Sequence, residues 1–170
     1  MKHITIREAN IDQARLLAEM GASMFAASFG AYNSPEDMQS YLVKSFNQAA
    51  IHAELQSGST KYLQVMFSEK VIGYAKVYPN APPIDLDCTK PVELGRIYID
   101  LNYANRGYGS QLLAACLRTA KELGGDTLWL GVWERNEQAI RFYKRWGFEI
   151  VGEMELVLGA DVQNDYGMGR

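Results

Sequence analysis

Residues 92–123 read VELGRIYIDLNYANRGYGSQLLAACLRTAKEL, and the rest of the chain is organised around them. The stretch opens with apolar, β-favouring residues between positions 94 and 99 and continues through a polar loop, Asn102 to Gly109. From position 112 onward, apolar residues recur at helical spacing, and Gly124-Gly125 supplies a stop. The pattern therefore predicts a strand, a glycine loop and a helix.

The glycine loop is a candidate anion site. Gly107 and Gly109 let the backbone approach a ligand closely, and the free N–H groups at a helix start favour an anion. The stretch lacks the G-x-x-x-x-G-K-[ST] pattern of a P-loop and the full glycine pattern of a dinucleotide fold. A plain tight turn is the alternative interpretation.

Two sequence motifs together resemble those of one protein superfamily. Residues 104–109 read ANRGYG, and residues 136–148 read NEQAIRFYKRWGF. In this order they resemble the GNAT acetyltransferase superfamily, whose patterns are [QR]-x-x-G-x-[GA] and N-x-x-A-x-x-F-Y-x-x-x-G-F. The chain departs at Ala104, where the family carries Gln or Arg, which removes one side-chain contact and leaves the backbone loop intact.

The predicted element order is β-α-α-α-β-β-β-α-β-α-β-β within one domain spanning 1–170. This order indicates an α/β protein with a mixed sheet and helices on both faces. The resemblance implies a mostly antiparallel sheet that splays open between its fourth and fifth strands. These are predicted at Val92–Asp100 and Thr127–Val132.

The resemblance also implies acetyl-CoA as cosubstrate. Backbone amides of the glycine loop would hold the pyrophosphate, the main chain of the fourth strand would pair with the pantetheine arm, and Asn136 would bind the arm from the other side. Arg106 and Arg145 (or Lys144) would add charge, and for Arg145 and Lys144 a solvated helix face is the alternative. The implied coenzyme-binding residues are Ile97, Tyr98, Ile99, Asn105, Arg106, Gly107, Tyr108, Gly109, Ser110, Asn136, Tyr143 and Arg145.

Two residues are candidates for proton transfer. The resemblance implies that the Tyr143 hydroxyl faces the coenzyme sulfur, where a neutral phenol can protonate the leaving thiolate. The alternative is an aromatic wall against the coenzyme. Glu93 is the candidate base, acting directly or through water, with a solvated strand-end charge as its alternative. Alternation places Glu93 opposite Leu94 but does not decide which face meets the cleft.

Three further segments concern the substrate. Residues 28–42 (SFGAYNSPEDMQSYL), 93–100 (ELGRIYID) and 159–168 (GADVQNDYGM) resemble the PaiA-type spermidine/spermine N-acetyltransferases, which implies a polyamine acceptor. Acidic residues at the start of the second helix and in the long loop Pro79–Pro91 could face such a cation. Helix packing, helix-start charges and a stiff surface connection are the alternatives. The candidate substrate residues are Phe29, Tyr32, Glu36 and Asp85.

The chain departs from the PaiA-type pattern at two places. A final strand is predicted over Tyr166–Met168, although Gly167 and Gly169 stand where strand aliphatics are usual. Leu101 also replaces a proline that is common after Asp100.

Composition limits the remaining function classes. A net charge of −3 without a basic block argues against nucleic acid, and no apolar run approaches a membrane span. No cluster has metal-ligand spacing, so we expect no metal. The N-terminus lacks an apolar signal region, which favours the cytoplasm, and a homodimer is left open. The rival functions are acetylation of a protein N-terminus or another small amine, and a non-catalytic acetyl-CoA-binding regulatory module.

Overall fold

Seven strands and five helices make up most of residues 3–170, the part of the chain that the computed structural model describes. None of the helices in this part is long and apolar enough to cross a membrane. The helices are α1 (Ala14–Phe29), α2 (Pro35–Ser45), α3 (Gln48–Ser57), α4 (Tyr108–Glu122) and α5 (Glu137–Arg145). The strands are β1 (Ile4–Glu8), β2 (Lys61–Phe67), β3 (Lys70–Pro79), β4 (Pro91–Ile99), β5 (Thr127–Trp133), β6 (Glu149–Leu158) and β7 (Asp161–Gly169).

Short polar side chains begin several helices where the sequence predicts them. Asn10 and Gln13 form a reciprocal capping box ahead of α1. The Ser34 hydroxyl accepts a hydrogen bond from the Asp37 amide at 3.1 Å, and Pro35 occupies the first position of α2. These caps satisfy donors that a helix start otherwise leaves unpaired, so local sequence fixes where these helices begin.

The sheet confirms the predicted splay. Its strand order is β1-β2-β3-β4-β5-β7-β6, and every neighbouring pair is antiparallel except β4 and β5. That parallel pair is short, joining Pro91–Glu93 to Thr127–Trp129. β4 then continues to Ile99 and β5 to Trp133 without further pairing between them in the described chain, so a gap opens toward their carboxyl ends.

The two faces of the sheet are packed differently. α4 and α5 cover one face with aliphatic contacts, in which Leu112, Leu113 and Cys116 are fully buried. On the other face, under α1, α2 and α3, rings dominate: Tyr62 and Tyr74 form one cluster with α1 and α3. A further aromatic cluster, Phe25, Phe46 and neighbouring rings, lies between α1 and α2. The helices therefore lie on both faces, as predicted.

The last strand is longer than the sequence predicts. β7 runs from Asp161 to Gly169 and pairs with both β5 and β6, so its glycines do not end it. A Cβ on Gly167 would stand 2.4 Å from Cδ1 of Ile84, and one on Gly169 would stand 3.5 Å from Cδ1 of Leu86. Ile84 and Leu86, in the loop between β3 and β4, therefore pack over the glycines of β7, where the strand has no side chains of its own.

Candidate active site

A cavity of about 760 Å³ lies where β4 and β5 diverge, and we name it the glycine-loop cavity. It is bounded by the ends of these two strands, the start of α4 and one side of α5. Of the predicted coenzyme-binding residues, it is lined by Ile97, Ile99, Asn105, Gly107, Tyr108, Gly109, Ser110, Asn136, Tyr143 and Arg145.

The glycine loop exposes backbone donors. Asn105 and Gly107 both have left-handed backbone, with φ values of 60° and 81°. No side chain caps the start of α4, whereas Ser34, Asn47 and Asn136 cap α2, α3 and α5. A Cβ on Gly107 would meet nothing within 4 Å, so open space faces the loop. Uncapped N–H groups at a helix start suit an anion such as the phosphates of coenzyme A.

The edge of β4 offers main-chain groups to the same cavity. β5 pairs with β4 only as far as Glu93, so the β5-facing edge beyond this point has no strand partner in the described chain. Ile97 and Ile99 turn their side chains toward the core under α4, while Tyr98 faces the opposite side of the sheet. The main chain of residues 97–99 can therefore pair with an extended ligand, but the Tyr98 side chain does not reach this cavity.

Some of the basic side chains near the glycine loop line its cavity and others do not. Arg145 lines the glycine-loop cavity, and so does Arg135, which sequence reasoning missed. Arg106 is exposed and lies outside the lining: its guanidinium sits 5.4 Å from the Tyr103 ring centre and donates to the Asn102 carbonyl at 3.3 Å. The structure thus brings Arg135 and Arg145 to the cavity, whereas Arg106 packs beside it.

A second cavity of about 600 Å³ adjoins the first on the side of α1 and α2, and we name it the aromatic cavity. Its charged lining residues are Glu93, Glu155, Asp165 and Arg96, and Glu155 belongs to the exposed surface of β6. Cations are attracted to ring faces and to carboxylates. The ring-bearing residues that line it are Phe25, Phe29, Tyr41, Tyr78, Tyr98, Trp129, Trp133 and Tyr143.

Glu93 is held on this aromatic side of the sheet. Its Oε2 atom accepts hydrogen bonds from the Tyr78 hydroxyl at 2.5 Å and from Nδ2 of Asn80 at 2.8 Å. Burial, and secondly the bond to Glu93, raises the pKa of Tyr78, so the phenol stays a donor. Trp129 in turn fixes Asn80, because its Nε1 donates to the Asn80 carbonyl at 2.7 Å. Both bonds use one carboxylate oxygen and leave Oε1 for another partner.

A β-bulge sets the face on which Glu93 lies. β3 pairs Lys76 with Arg96 and Val77 with Leu94, so Gly95 is an extra residue in β4. Because of this extra residue, Leu94 and Ile97 both face the core although they are three residues apart. Glu93, next to Leu94, lies on the opposite, aromatic side. Simple alternation in the sequence cannot reveal this shift.

Tyr143 lines both cavities. It lies on α5, is only 7% exposed, and has its ring 5.7 Å from that of Phe148. Burial raises the pKa of Tyr143, so its hydroxyl remains neutral and can donate a proton. The cavities therefore meet at a protonated phenol. The residues shared by both linings are Ser28, Phe29, Ile97, Trp133, Asn136, Ala139 and Tyr143.

The candidate substrate residues are only partly gathered. Phe29 lines both cavities, and Tyr32 lines the glycine-loop cavity with its ring 5.0 Å from that of Trp133. Glu36 and Asp85 are exposed and line neither cavity. Helix α2 directs Glu36 to its outer surface, and Asp85 alternates with the packed residues Ile84 and Leu86 of the loop.

Sequence reasoning missed two charged residues of the aromatic cavity. The Arg96 guanidinium lies 4.4 Å from the Phe46 ring centre and donates to the Ser45 carbonyl at 2.5 Å. Asp165 lies on β7, where burial, followed by the nearby Glu134 charge, raises its pKa to about 6. Both lie in segments that resemble the PaiA-type enzymes, but neither was singled out there, and the strand pairing is what brings them to one cavity.

The comparisons with known proteins agree with this geometry. The model of the Acetyltransferase (GNAT) family matches residues 24–148. An N-acetyltransferase of Lactobacillus delbrueckii subsp. lactis, from the pepI 3′ region, is 35% identical over 143 residues, which cover 84% of this chain and 82% of that protein. The spermine/spermidine N(1)-acetyltransferase of Bacillus subtilis strain 168 is 32% identical over 97 residues, 56% of this chain and 63% of the relative.

A solved structure shares the fold over nearly the whole length. The PaiA N-acetyltransferase of Thermoplasma acidophilum, crystallised in complex with coenzyme A, superposes with a TM-score of 0.79. The two chains are 20% identical, and the match covers 99% of this chain and 98% of the other. The family model spans most of the chain, including the motifs at residues 104–109 and 136–148. The chain therefore belongs to the GNAT family of acetyltransferases, enzymes that use acetyl-CoA as cosubstrate.

Proposed function

We propose that the protein transfers the acetyl group of acetyl-CoA to a primary amine of a small cationic acceptor, a polyamine such as spermidine or spermine. The observation that carries this proposal is the aromatic cavity, which joins rings and carboxylates beside the glycine-loop cavity. An alkyl chain with ammonium groups matches both parts of that lining, since rings attract cations and carboxylates neutralise them.

The proposed mechanism uses Glu93 and Tyr143. Glu93 accepts a proton from the acceptor ammonium, directly or through a water, because a protonated amine cannot attack. The free amine nitrogen then bonds to the acetyl carbon while the carbon–sulfur bond breaks. Tyr143 donates its hydroxyl proton to the departing sulfur, and the acylated nitrogen releases its second proton to solvent, from which Tyr143 is reprotonated. Glu93 is suited to its part because Tyr78 and Asn80 fix the carboxylate through one oxygen only.

The related proteins support the acceptor class. The Bacillus subtilis relative acts on spermine and spermidine according to its name, and its match covers about half of this chain. The Thermoplasma protein was crystallised in complex with coenzyme A, which supports acetyl-CoA as the donor here. The chemistry of the acceptor itself rests on the lining of the aromatic cavity.

Two hydrogen bonds favour a small acceptor over a peptide. Asp37 Oδ1 accepts from the Ala160 amide at 2.9 Å, and Gln163 donates to Asn33 Oδ1 at 2.7 Å. They connect the segment around the start of α2 to the β6–β7 hairpin, and Gln163 lines the aromatic cavity. A peptide chain extending outward between these segments would have to break them, whereas a short amine would not.

The test is an acceptor screen with acetyl-CoA at a fixed concentration. Spermidine, spermine, simple monoamines and peptides with free N-termini are compared in the wild type and in Glu93→Gln, with the exposed Glu153→Gln as a matched control. We expect preference for polyamines, a loss of about 10²–10⁴-fold in kcat for Glu93→Gln, and normal rates for the control. Turnover of peptides but not polyamines would reverse the acceptor assignment. Acetyl-CoA binding without turnover of any amine would favour a regulatory module.

A further inference from the structure

Asp165 lies on the side of the sheet that faces the aromatic cavity, next to Gly131 of β5. It lies on β7, opposite Trp133 of β5 and Met154 of β6. A Cβ on Gly131 would stand 2.7 Å from Cε of Met154 and 3.6 Å from Asp165 Oδ2, so the Met154 methyl group covers the bare backbone of β5 and the carboxylate lies beside it. The residue lines the aromatic cavity, at the part of β5 that also borders the glycine-loop cavity through Trp133.

The carboxylate lacks a partner within the described chain. Its Oδ1 atom is buried and accepts no hydrogen bond from residues 3–170. The one basic residue in the lining of the aromatic cavity, Arg96, is directed toward Phe46 and Ser45 instead. Glu134 adds a second negative charge, since it raises the pKa of Asp165 together with burial. Burying an unpaired acidic oxygen is costly, so this position calls for a cation or a donor from outside the chain.

Asp165 and Glu93 lie toward different ends of the aromatic cavity. Glu93 pairs across from Trp129 and Asp165 across from Trp133, four residues along the same strand. This corresponds to roughly 13 Å along β5 at the usual rise per residue. Rings occupy the space between them, Trp129 and Trp133 among them. Two acidic positions separated by an aromatic wall match a ligand with positive charges at two points of an apolar chain.

We propose that Asp165 binds a second, non-reacting ammonium group of the acceptor and so selects diamines and longer polyamines over monoamines. This assignment rests on the proposed function, because it takes the aromatic cavity as the acceptor site. Asp165 is a specificity residue here: it lowers KM for acceptors with two charges and takes no part in the proton transfers.

The test compares amines of equal length but different charge. Initial rates are measured with 1,8-diaminooctane and octylamine for the wild type, Asp165→Asn and the control Glu153→Gln. We expect Asp165→Asn to raise KM for the diamine about tenfold, a change of about 1.4 kcal/mol, with less than a twofold change for octylamine. Its kcat with octylamine should match the wild type. Asn is isosteric and the lost charge is unpaired, so the variant should fold.

Two results would overturn the assignment. Equal effects on both amines would show that Asp165 does not sense the second charge, and a fall of kcat with every amine would make it part of the proton transfer or of the fold. Binding of spermidine to the coenzyme A complex, measured by calorimetry, separates this from the proposed function. If no amine is acetylated, the proposed function fails, but weaker spermidine binding to Asp165→Asn still supports the subsite and equal binding removes it.

Discussion

The glycine-loop cavity and the aromatic cavity are built from the chain in different ways. The first comes mainly from two continuous segments, the loop around Gly107 and the start of α5 at Asn136, and it offers main-chain groups. The second draws side chains from α1, α2, α5, β3, β4, β5, β6, β7 and the loop after β3. A site made of backbone at a helix start is recognisable as a short motif, whereas a site made of scattered side chains is not. The predictions below separate the two.

The largest effect is expected at Tyr143, where the cavities meet. Tyr143→Phe keeps the ring, and its packing against Phe148, but removes the proton donor. We expect kcat to fall about 10²–10⁴-fold, with KM for acetyl-CoA changing much less, because the lost interaction belongs to the transition state. Steady-state kinetics with the best acceptor of the screen measures this. A kcat within threefold of the wild type, with chemistry rate-limiting, would make Tyr143 a wall residue only.

The glycine-loop cavity alone should respond to Gly107→Ala. The added Cβ strains a left-handed residue and enters the space that faces the loop. We expect acetyl-CoA to bind about 10–100-fold more weakly, or about 1.4–2.7 kcal/mol. Gly58→Ala is the matched control, since Gly58 also has positive φ, 74°, and open surroundings but lies at the end of α3. Both variants should lose about 1 kcal/mol of stability. Equal coenzyme affinity in the two would refute the loop assignment.

The aromatic cavity alone should respond to Gly167→Ala. The new methyl group would stand 2.4 Å from Ile84 Cδ1, so the end of the Ile84 side chain must shift, next to Pro83, which lines the cavity. We expect a loss of about 1–3 kcal/mol in the free energy of unfolding and a several-fold rise in KM for the acceptor. Coenzyme affinity, measured by calorimetry, should not change.

The double variant Gly167→Ala/Ile84→Ala provides the control for that contact. Removing most of the Ile84 side chain makes room for the new methyl group, so part of the stability lost in Gly167→Ala should return. Purely additive losses in a double-mutant cycle would mean that the two residues do not press on each other.

The smallest effect is the pH dependence that Asp165 gives to stability. Burial and Glu134 raise the folded-state pKa to about 6, so this group stabilises the protein fully only below its ordinary pKa. That contribution is lost as pH rises from about 4 through about 6. Asp165→Asn should therefore gain stability over the wild type across this range, by about 1 kcal/mol after allowance for solvent screening. Urea unfolding at pH 4 and pH 7 tests this, and a constant difference between the proteins would contradict it.

Most of the fold could be predicted from local signals. The caps at Asn10 and Ser34, the glycine stop after α4 and the strand–loop–helix pattern each depend on residues that are near one another in sequence. The splay was implied by the family resemblance and is confirmed by the short β4–β5 pairing. The last strand was predicted too short. The aliphatic side chain that packs on its glycines belongs to Ile84, about eighty residues earlier in the chain.

The sequence predicted more of the glycine-loop cavity than of the aromatic cavity, where Glu93 and Phe29 are the predicted residues besides Tyr143. The motif residues Gly107 and Asn136 lie at the glycine-loop cavity, and Tyr143 lies where both cavities meet. On the other side, Glu36 and Asp85 were candidates because acidic residues at a helix start and in a long loop could face a cation. The structure instead brings Asp165 to the cavity, through pairing of β7 with β5. Distant strand pairing cannot be read from composition or spacing, and this limits the prediction of acceptor residues.

The meeting of the two cavities at Tyr143 has a kinetic consequence. Because the cavities adjoin without coinciding, acetyl-CoA and the amine can occupy the enzyme together, and the acetyl group can pass directly between them. No side chain needs to store it between two half-reactions, and Cys116, a nucleophile by chemistry, is fully buried under α4. Initial-rate lines at varied concentrations of the two substrates should therefore intersect, as for a ternary complex, and should not run parallel as in a ping-pong scheme.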